Sequence, residues 1–384
     1  MGMKRSTERI LTTHTGSLPR PDDLLQLIRT RESGQSVEPD AFAARVRTAV
    51  SEIVRQQVAA GIDIVSDGEL GKPSFATYVS DRITGFGGEN PEPRPFLDAT
   101  TFPGWGETIA TIPRGLPMIR RYCVGDLAYQ DTAALQADVD NLAQAVSESG
   151  ALEGFMPSAS LGIIADIMVN QHYPSEEAYL YALADAMKVE YEAIARAGLV
   201  IQIDAPDAAM GRHGQFRHES LETFRRATAQ RVEALNHALA GIPEEQIRYH
   251  ICWGNYEGPH THDVPLADVV DLLLAVRAGA YSVEAANPRH AHEWQVWEQV
   301  QLPDDKILIP GVIDSTTNFV EHPEVVAQRI EQYARIVGRE RVIAGIDCGF
   351  GTTAGRATVH PELVWAKLAV LSEGAALASE RLWR

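Results

Sequence analysis

Short apolar runs alternate with longer amphipathic stretches along most of this chain. A compact run of β-branched and aliphatic residues, closed by Gly, Pro or polar residues, reads as a buried strand. Eight such runs stand out: Ile10–Ser17, Ile62–Glu69, Gly154–Ser160, Leu199–Pro206, Arg248–Gly254, Ala280–Ala286, Ile307–Ile313 and Val342–Cys348. Helical spacing fills the gaps at Ala41–Ala60, Thr132–Glu148, Ser175–Ala197, His218–Leu239, Leu266–Ala278, Pro323–Val337 and Pro361–Ala378. Ser175 with Glu176 and Glu177 is a helix-start signal, an N-cap hydroxyl followed by acids in the first turn.

Alternating strands and helices predict an α/β protein, a (β/α)8 TIM barrel. An open doubly wound sheet expects a G-x-G-x-x-G turn after an early strand, and none stands in that context. Gly85 to Asp126 breaks the rhythm, being rich in Gly, Pro and aromatics. The expectation is one catalytic barrel over residues 1–384. Residues 85–131 form an inserted excursion after the second strand, built on a small hairpin.

Composition narrows the function classes. The 384 residues are 45% hydrophobic and 22% charged, enough for a large core. A formal net charge of -18 argues against binding a phosphate backbone. No stretch of ~18 apolar residues offers a membrane span, and the start, Met1 to Arg9, lacks the apolar segment of a signal peptide. Cys123, Cys252 and Cys348 are too few and too scattered for a disulfide framework, which predicts a reducing, cytoplasmic setting. The expected partners are small molecules, with no nucleic acid and no membrane, and a homo-oligomer is left open.

The chemistry gathers at the predicted strand ends, where barrels place their active sites. Residues i and i+2 of a strand share a face, so His250 and Cys252 point the same way. Glu284 and Cys348 come from other strands and can meet them at the mouth. Two thiolates, an imidazole and a carboxylate suit tetrahedral zinc, although H-x-C alone is equally a pair of buried core residues. The remaining strand ends carry Thr13-His14-Thr15-Gly16-Ser17, Ser66-Asp67-Gly68-Glu69 and Gln202-Ile203-Asp204. Carboxylates there suit an amino group, and Ser17 with nearby backbone N–H groups suits a carboxylate. Read singly, each acid is equally a loop cap or an arginine partner.

Together the motifs resemble the catalytic C-terminal barrel of the cobalamin-independent methionine synthases. The matching pieces are Thr12–Pro19, Asp67-Gly68-Glu69, Ile201–Asp204, His250-Ile251-Cys252, Ser282-Val283-Glu284 and Asp347-Cys348-Gly349, in the family's order. The resemblance implies Zn2+ held by His250, Cys252, Glu284 and Cys348. It also implies a homocysteine-like thiol held by Ser17, Glu69 and Asp204, with Gly16 and His14 beside them. The methyl donor would be a reduced folate, 5-methyltetrahydrofolate, or a similar carrier.

The chain departs from that pattern in two places. Asp204 is followed by Ala205-Pro206-Asp207-Ala208, where the family has Glu-Pro-Ala-Leu. The segment Gly311–Asn318 has no histidine where the family carries a mechanistic one. Asp314 joins Glu69 and Asp204 as a catalytic candidate, and His322 takes no role. The sequence also looks like the epoxyalkane:coenzyme M transferases, whose sulfonate thiol calls for an arginine, with Arg20, Arg212, Arg289 and Arg356 as candidates. A non-catalytic metal- or thiol-binding protein is the reading from a different class.

Overall fold

The structure is a computed structural model that describes residues 2–90, 96–111, 115–356 and 358–384. Eight short strands carry its parallel framework: β1 (Leu11–Thr12), β2 (Ile64–Val65), β3 (Glu153–Ala159), β4 (Val200–Asp204), β5 (Ile247–Ile251), β6 (Ala280–Val283), β7 (Ile307–Pro310) and β8 (Ile343–Ala344). β2 to β7 pair in sequence order as one six-stranded sheet, parallel throughout and curled into a half-barrel. β1 pairs in parallel with β8. Single parallel bridges join Thr13 to Ile64, Leu308 to Val342 and Gly311 to Gly345.

The core forms in two parts. The larger lies between the sheet and the helices outside it. A smaller cluster inside the curl takes Leu11, Ile64, Phe155, Val200, Ala280 and Ile343 from different strands. Arg248 of β5 lies among them, its guanidinium 4.0 Å from the Phe155 ring centroid. Its Nη1 donates to Thr13 Oγ1 (3.0 Å) and its Nη2 to the His14 carbonyl (2.8 Å).

Six strands lie inside their predicted runs, β3 and β5 begin one residue earlier at Glu153 and Ile247, and most ladders are shorter than the apolar pattern. Beyond the last paired residue, side chains take over the backbone groups. Gln57 accepts from the Ser66 N–H (2.9 Å) and donates to the Ser66 carbonyl (2.8 Å). Thr15 Oγ1 donates to the Ile346 carbonyl (3.0 Å). These substitutions let the strand ends splay into loops without leaving buried polar groups unpaired.

Helix starts follow the capping chemistry. Ser175, Ser220 and Asp131 accept from the third N–H beyond them, ahead of Glu176–Arg196, Leu221–Leu239 and Thr132–Ser149. The Ser220 cap explains why the expected His218 start moves to Leu221. The expected helix Leu266–Ala278 is broken into a 3-10 turn, Leu266–Asp268, and a short helix, Val270–Ala275. Arg225 takes the Asp268 carbonyl that a continuous helix would use. Helices Asp22–Glu32 and Leu161–Ile167 were not anticipated.

Between β2 and β3, Phe86–Gly87 pairs antiparallel with Arg121–Cys123, which pairs in parallel with Met168–Asn170. Residues 91–95 and 112–114 of the expected excursion lie outside the described residues. Cys123 is buried in this small sheet, its thiol donating to the Gly125 carbonyl at 3.5 Å. Among the described residues no helix is long and apolar enough to cross a membrane.

Candidate active site at the strand ends

A cavity of ≈ 1190 Å³ opens where the C-terminal ends of the strands diverge. Its floor carries Ser17, Glu69, Asp204, His250, Cys252 and Cys348, and Phe96, Trp105 and Met118 contribute to its walls.

β5 positions the first pair. His250 lies on the strand and Cys252 two residues on, both buried. Cys348 follows β8 by four residues and is half-buried. One ligand atom from each of His250, Cys252 and Cys348 lies within 4.8 Å of the other two. Burial, then Arg248, lowers the His250 pKa to about 3, so the imidazole is neutral. Its Nδ1 is 3.2 Å from Ser282 Oγ, and its Nε2 is buried with no hydrogen-bond partner among the described residues. An unpaired imidazole nitrogen beside two thiols is the donor set of a metal site. Hydrogen bonding to Cys348 and then burial raise the Cys252 thiol well above its usual range. Burial, reinforced by Asp347 and Cys348, does the same to Glu284. Without a cation these groups hold their protons. A dication would supply the missing opposite charge.

Glu284 stands just past β6, buried, outside the three-residue cluster. Its Oε1 accepts the Trp253 backbone N–H at 3.0 Å. The structure therefore brings three of the four predicted ligands together and ties the fourth to a neighbouring backbone group.

Across the cavity floor stand two carboxylates. Glu69 has a φ of 56°, one of two non-glycine residues in the left-handed region among those described. Such a conformation is strained and persists only when its surroundings impose it. The turn is held by Asp67 Oδ1, which accepts the Glu69 N–H at 3.0 Å. Glu69 Oε2 is buried without a hydrogen-bond partner among the described residues. Burial raises the Glu69 pKa to about 7, against the pull of Lys72 and Arg20. Asp204 ends β4 and accepts from Gln202 Nε2 at 2.7 Å. Burial and then Glu69 push its carboxyl well above the usual range. Two buried acids with spare acceptor capacity suit a cationic group.

The first and last strands meet at Ser17. Its Oγ accepts the Gly351 N–H at 3.2 Å, and a Cβ on Gly349 would stand 2.1 Å from the same oxygen. Gly16 is equally confined, since a Cβ there would come within 2.9 Å of Glu69 Oε1.

A family model described as the catalytic domain of cobalamin-independent synthase matches residues 123–367. The chain belongs to that family. A methionine synthase of Thermococcus kodakarensis is 27% identical over 340 residues, 88% of this chain and 86% of that protein. One from Saccharolobus solfataricus is 24% identical over 376 residues, 97% of this chain and 96% of that protein. The fold is shared with a B12-independent methionine synthase structure from Shewanella sp. W3-18-1, with a TM-score of 0.72 at 19% identity. That alignment covers 97% of this chain and 99% of the other.

Of the predicted site residues, Gly16, His14, Glu284 and Asp314 are not among those lining the cavity. His14 is buried, with Nδ1 accepting the Gly16 N–H (3.2 Å) and Nε2 facing Gln57 Oε1 (2.7 Å). Both ring nitrogens are occupied, so His14 shapes the Gly16 turn and has nothing left for a ligand. Asp314 is also buried, its Oδ1 accepting from the Thr316 N–H (2.6 Å) and hydroxyl (2.8 Å). It caps its own loop. Of the arginines considered for a sulfonate, Arg20, Arg212 and Arg289 donate to backbone carbonyls and stand outside the cavity lining. Arg356 lines it and donates to the Asn255 carbonyl at 2.6 Å.

Sequence reasoning missed Asn255 and Tyr256. Both line the cavity from the loop after β5. Asn255 Nδ2 donates to Thr352 Oγ1 at 2.6 Å, and Tyr256 stacks on Phe96 with centroids 5.0 Å apart. The Gly254–Pro259 run was a usable signal, a Gly- and Pro-containing loop directly behind a ligand-bearing strand.

Proposed function

We propose that this synthase-family protein is a zinc-dependent thiol S-methyltransferase that converts homocysteine, or a close analogue, to methionine or its counterpart. The convergence of His250, Cys252 and Cys348 opposite the unpaired Glu69 carboxylate carries this reading. One side of the cavity is built for a metal and a soft sulfur, the other for a cation. An amino-acid thiol presents both chemistries in one small molecule. The methionine synthases named above point the same way.

His250, Cys252 and Cys348 would hold Zn2+, with Glu284 the fourth, exchangeable ligand. When bound, zinc supplies Lewis acidity that brings a substrate thiol's pKa from ~8.5 into the neutral range. Glu69 and Asp204 bind the ammonium group, and their ionised forms are restored by that positive charge. Ser17 and the adjacent backbone N–H groups orient the substrate carboxylate. Phe96, Trp105 and Met118 exclude water and pack the methyl donor, a methylated reduced folate or similar carrier. In-line placement of sulfur and methyl carbon converts a bimolecular reaction into a local one.

The framework supporting this site is a single closed (β/α)8 barrel. The β1–β8 ladder, the three single bridges and the inner cluster drawn from several strands support closure. The expected insertion, residues 85–131, contributes Phe96, Trp105 and Met118 of its described part to the cavity wall.

The deciding assay gives zinc-loaded protein homocysteine with methyltetrahydrofolate or methylcobalamin, and separately coenzyme M with an epoxide. Methionine formation that vanishes on zinc removal is the expected result. Thioether formation only from coenzyme M would overturn the substrate assignment.

A further inference from the structure

We propose that His213, His260, Asp263 and His290 form a second divalent transition-metal site, separate from the cysteine cluster. His260 Nδ1 and His290 Nε2 both converge on Asp263 Oδ2, at 2.8 and 2.9 Å. One ligand atom from each of these three residues lies within 4.8 Å of the others.

The outward-facing nitrogens are fixed in the way metal-bound imidazoles require. His260 Nε2 is 3.0 Å from the Tyr256 carbonyl oxygen, and His290 Nδ1 is 2.9 Å from Glu293 Oε2. A ligating histidine characteristically donates its second N–H to a backbone carbonyl or a carboxylate, which aims the other nitrogen at the ion. Every one of these partners is an acceptor, Asp263 included, so without an ion the inner nitrogens are hydrogen-bonded to Asp263, and a cation would displace the inner protons while the outer nitrogens stay held.

His213 supplies the independent observation. It is 1% exposed, and neither ring nitrogen has a hydrogen-bond partner among the described residues. Its Nδ1 stands 3.7 Å from Asp263 Oδ1, which also lacks a hydrogen-bond partner among the described residues. That spacing is too long for a hydrogen bond. It is close to the separation of about 3.3 Å between two ligand atoms that each lie ~2.0 Å from a tetrahedral ion. His260 has a φ of 52°, sharing with Glu69 the strained left-handed backbone. Three imidazoles and a carboxylate form a nitrogen and oxygen set that suits zinc, cobalt, iron or nickel as M2+.

Such an ion would tie the loop after β4 to the loops after β5 and β6. It also bears on Glu284. The Trp253 indole stacks on His290 with centroids 4.1 Å apart, and the Trp253 N–H holds Glu284 Oε1. The four residues are thus a positioning site for the cavity floor, and its existence does not depend on the methyltransferase reading.

The test is metal stoichiometry. Metal-stripped full-length protein is titrated with Zn2+, and with Co2+ for its spectrum. Two equivalents are expected in the unaltered protein and one in the Cys252→Ser/Cys348→Ser variant. The remaining Co2+ should lack the near-ultraviolet thiolate charge-transfer band. Adding His290→Gln or Asp263→Asn should remove that last equivalent. A double cysteine variant that binds no ion would overturn the proposal. So would full retention of the remaining equivalent after His290→Gln and Asp263→Asn. Should a variant misfold by circular dichroism, the unaltered protein still decides. A single equivalent carrying the thiolate band overturns the second site, whereas a single equivalent lacking it upholds that site and removes the cysteine one.

Discussion

Glu69 and Asp204 face the same cavity from the ends of β2 and β4, and Glu69 adds to burial in raising the affinity of Asp204 for a proton. Burial raises Glu69 from 4.5 to about 7 in the folded chain. The native state therefore holds a proton that the unfolded chain has already lost in that window. Stability contributed by the protonated acid is present below pH 4.5 and is lost as pH rises to about 7. The shift corresponds to about 3 kcal/mol. Glu69→Gln mimics the protonated acid, so its ligand-free stability relative to the unaltered protein should rise by about that amount between pH 5 and 8. Urea unfolding at both pH values measures it, and a difference that does not vary with pH would contradict the shift.

Removing one acid should separate thiols by their amino group. Asp204→Asn is expected to raise KM for homocysteine by about 10- to 100-fold, the loss of one charge-assisted contact. A thiol lacking the ammonium, such as coenzyme M, should bind the variant no worse. Equal losses for both thiols would remove the amino-binding role.

Cys348 tests the metal cluster without opening the core. It is half-buried beside the cavity, so Cys348→Ser should cost about 1 kcal/mol or less in the metal-free fold. Metal content should fall by one equivalent, and methyl transfer should be abolished. Elemental analysis on protein with an unchanged circular dichroism spectrum reads this directly. Retention of the full metal content would exclude Cys348 as a ligand.

Gly349 stands where the first and last strands meet. A methyl group there would lie 2.1 Å from Ser17 Oγ. Gly349→Ala should displace Ser17, destabilise the protein by about 1–3 kcal/mol and cut activity disproportionately. Thermal denaturation and steady-state kinetics measure the two effects. Unchanged kinetics would show that Ser17 does not touch substrate.

Far from the chemistry, Lys367 of the last helix, Pro361–Leu382, donates to Glu321 Oε2 at 2.8 Å, and both side chains are buried. Lys367→Met leaves a lone buried carboxylate and should cost about 3–5 kcal/mol. The double change Lys367→Met/Glu321→Gln should recover part of that loss. Chemical denaturation of the three proteins gives the coupling, and strict additivity would refute it.

The pattern of apolar runs located all eight strands because buried parallel strands need little beyond β-branched and aliphatic residues. Their ends were less legible. Ser66 and Thr15 leave the ladder because Gln57 and the Ile346 carbonyl replace it, and such long-range partners have no signature in local sequence. The same limit applied at the site. His250 and Cys252 were readable from strand parity, whereas the meeting of His213 with Asp263 depends on how two loops fold back. His14 drew attention by its place in a motif, yet Gln57 and Gly16 occupy both its nitrogens.

The partner of Leu11 and Thr12 on one flank is a segment made more than three hundred residues later, Ile343 and Ala344. Ser17 and Cys348 share that dependence. During synthesis at ~5–20 residues per second, the emerging polypeptide must wait with an unmatched leading edge. Assembly of the cavity floor therefore waits on this late segment, and a fragment ending before Ile343 is expected to leave Leu11 and Thr12 without that ladder and Ser17 without Cys348 beside it.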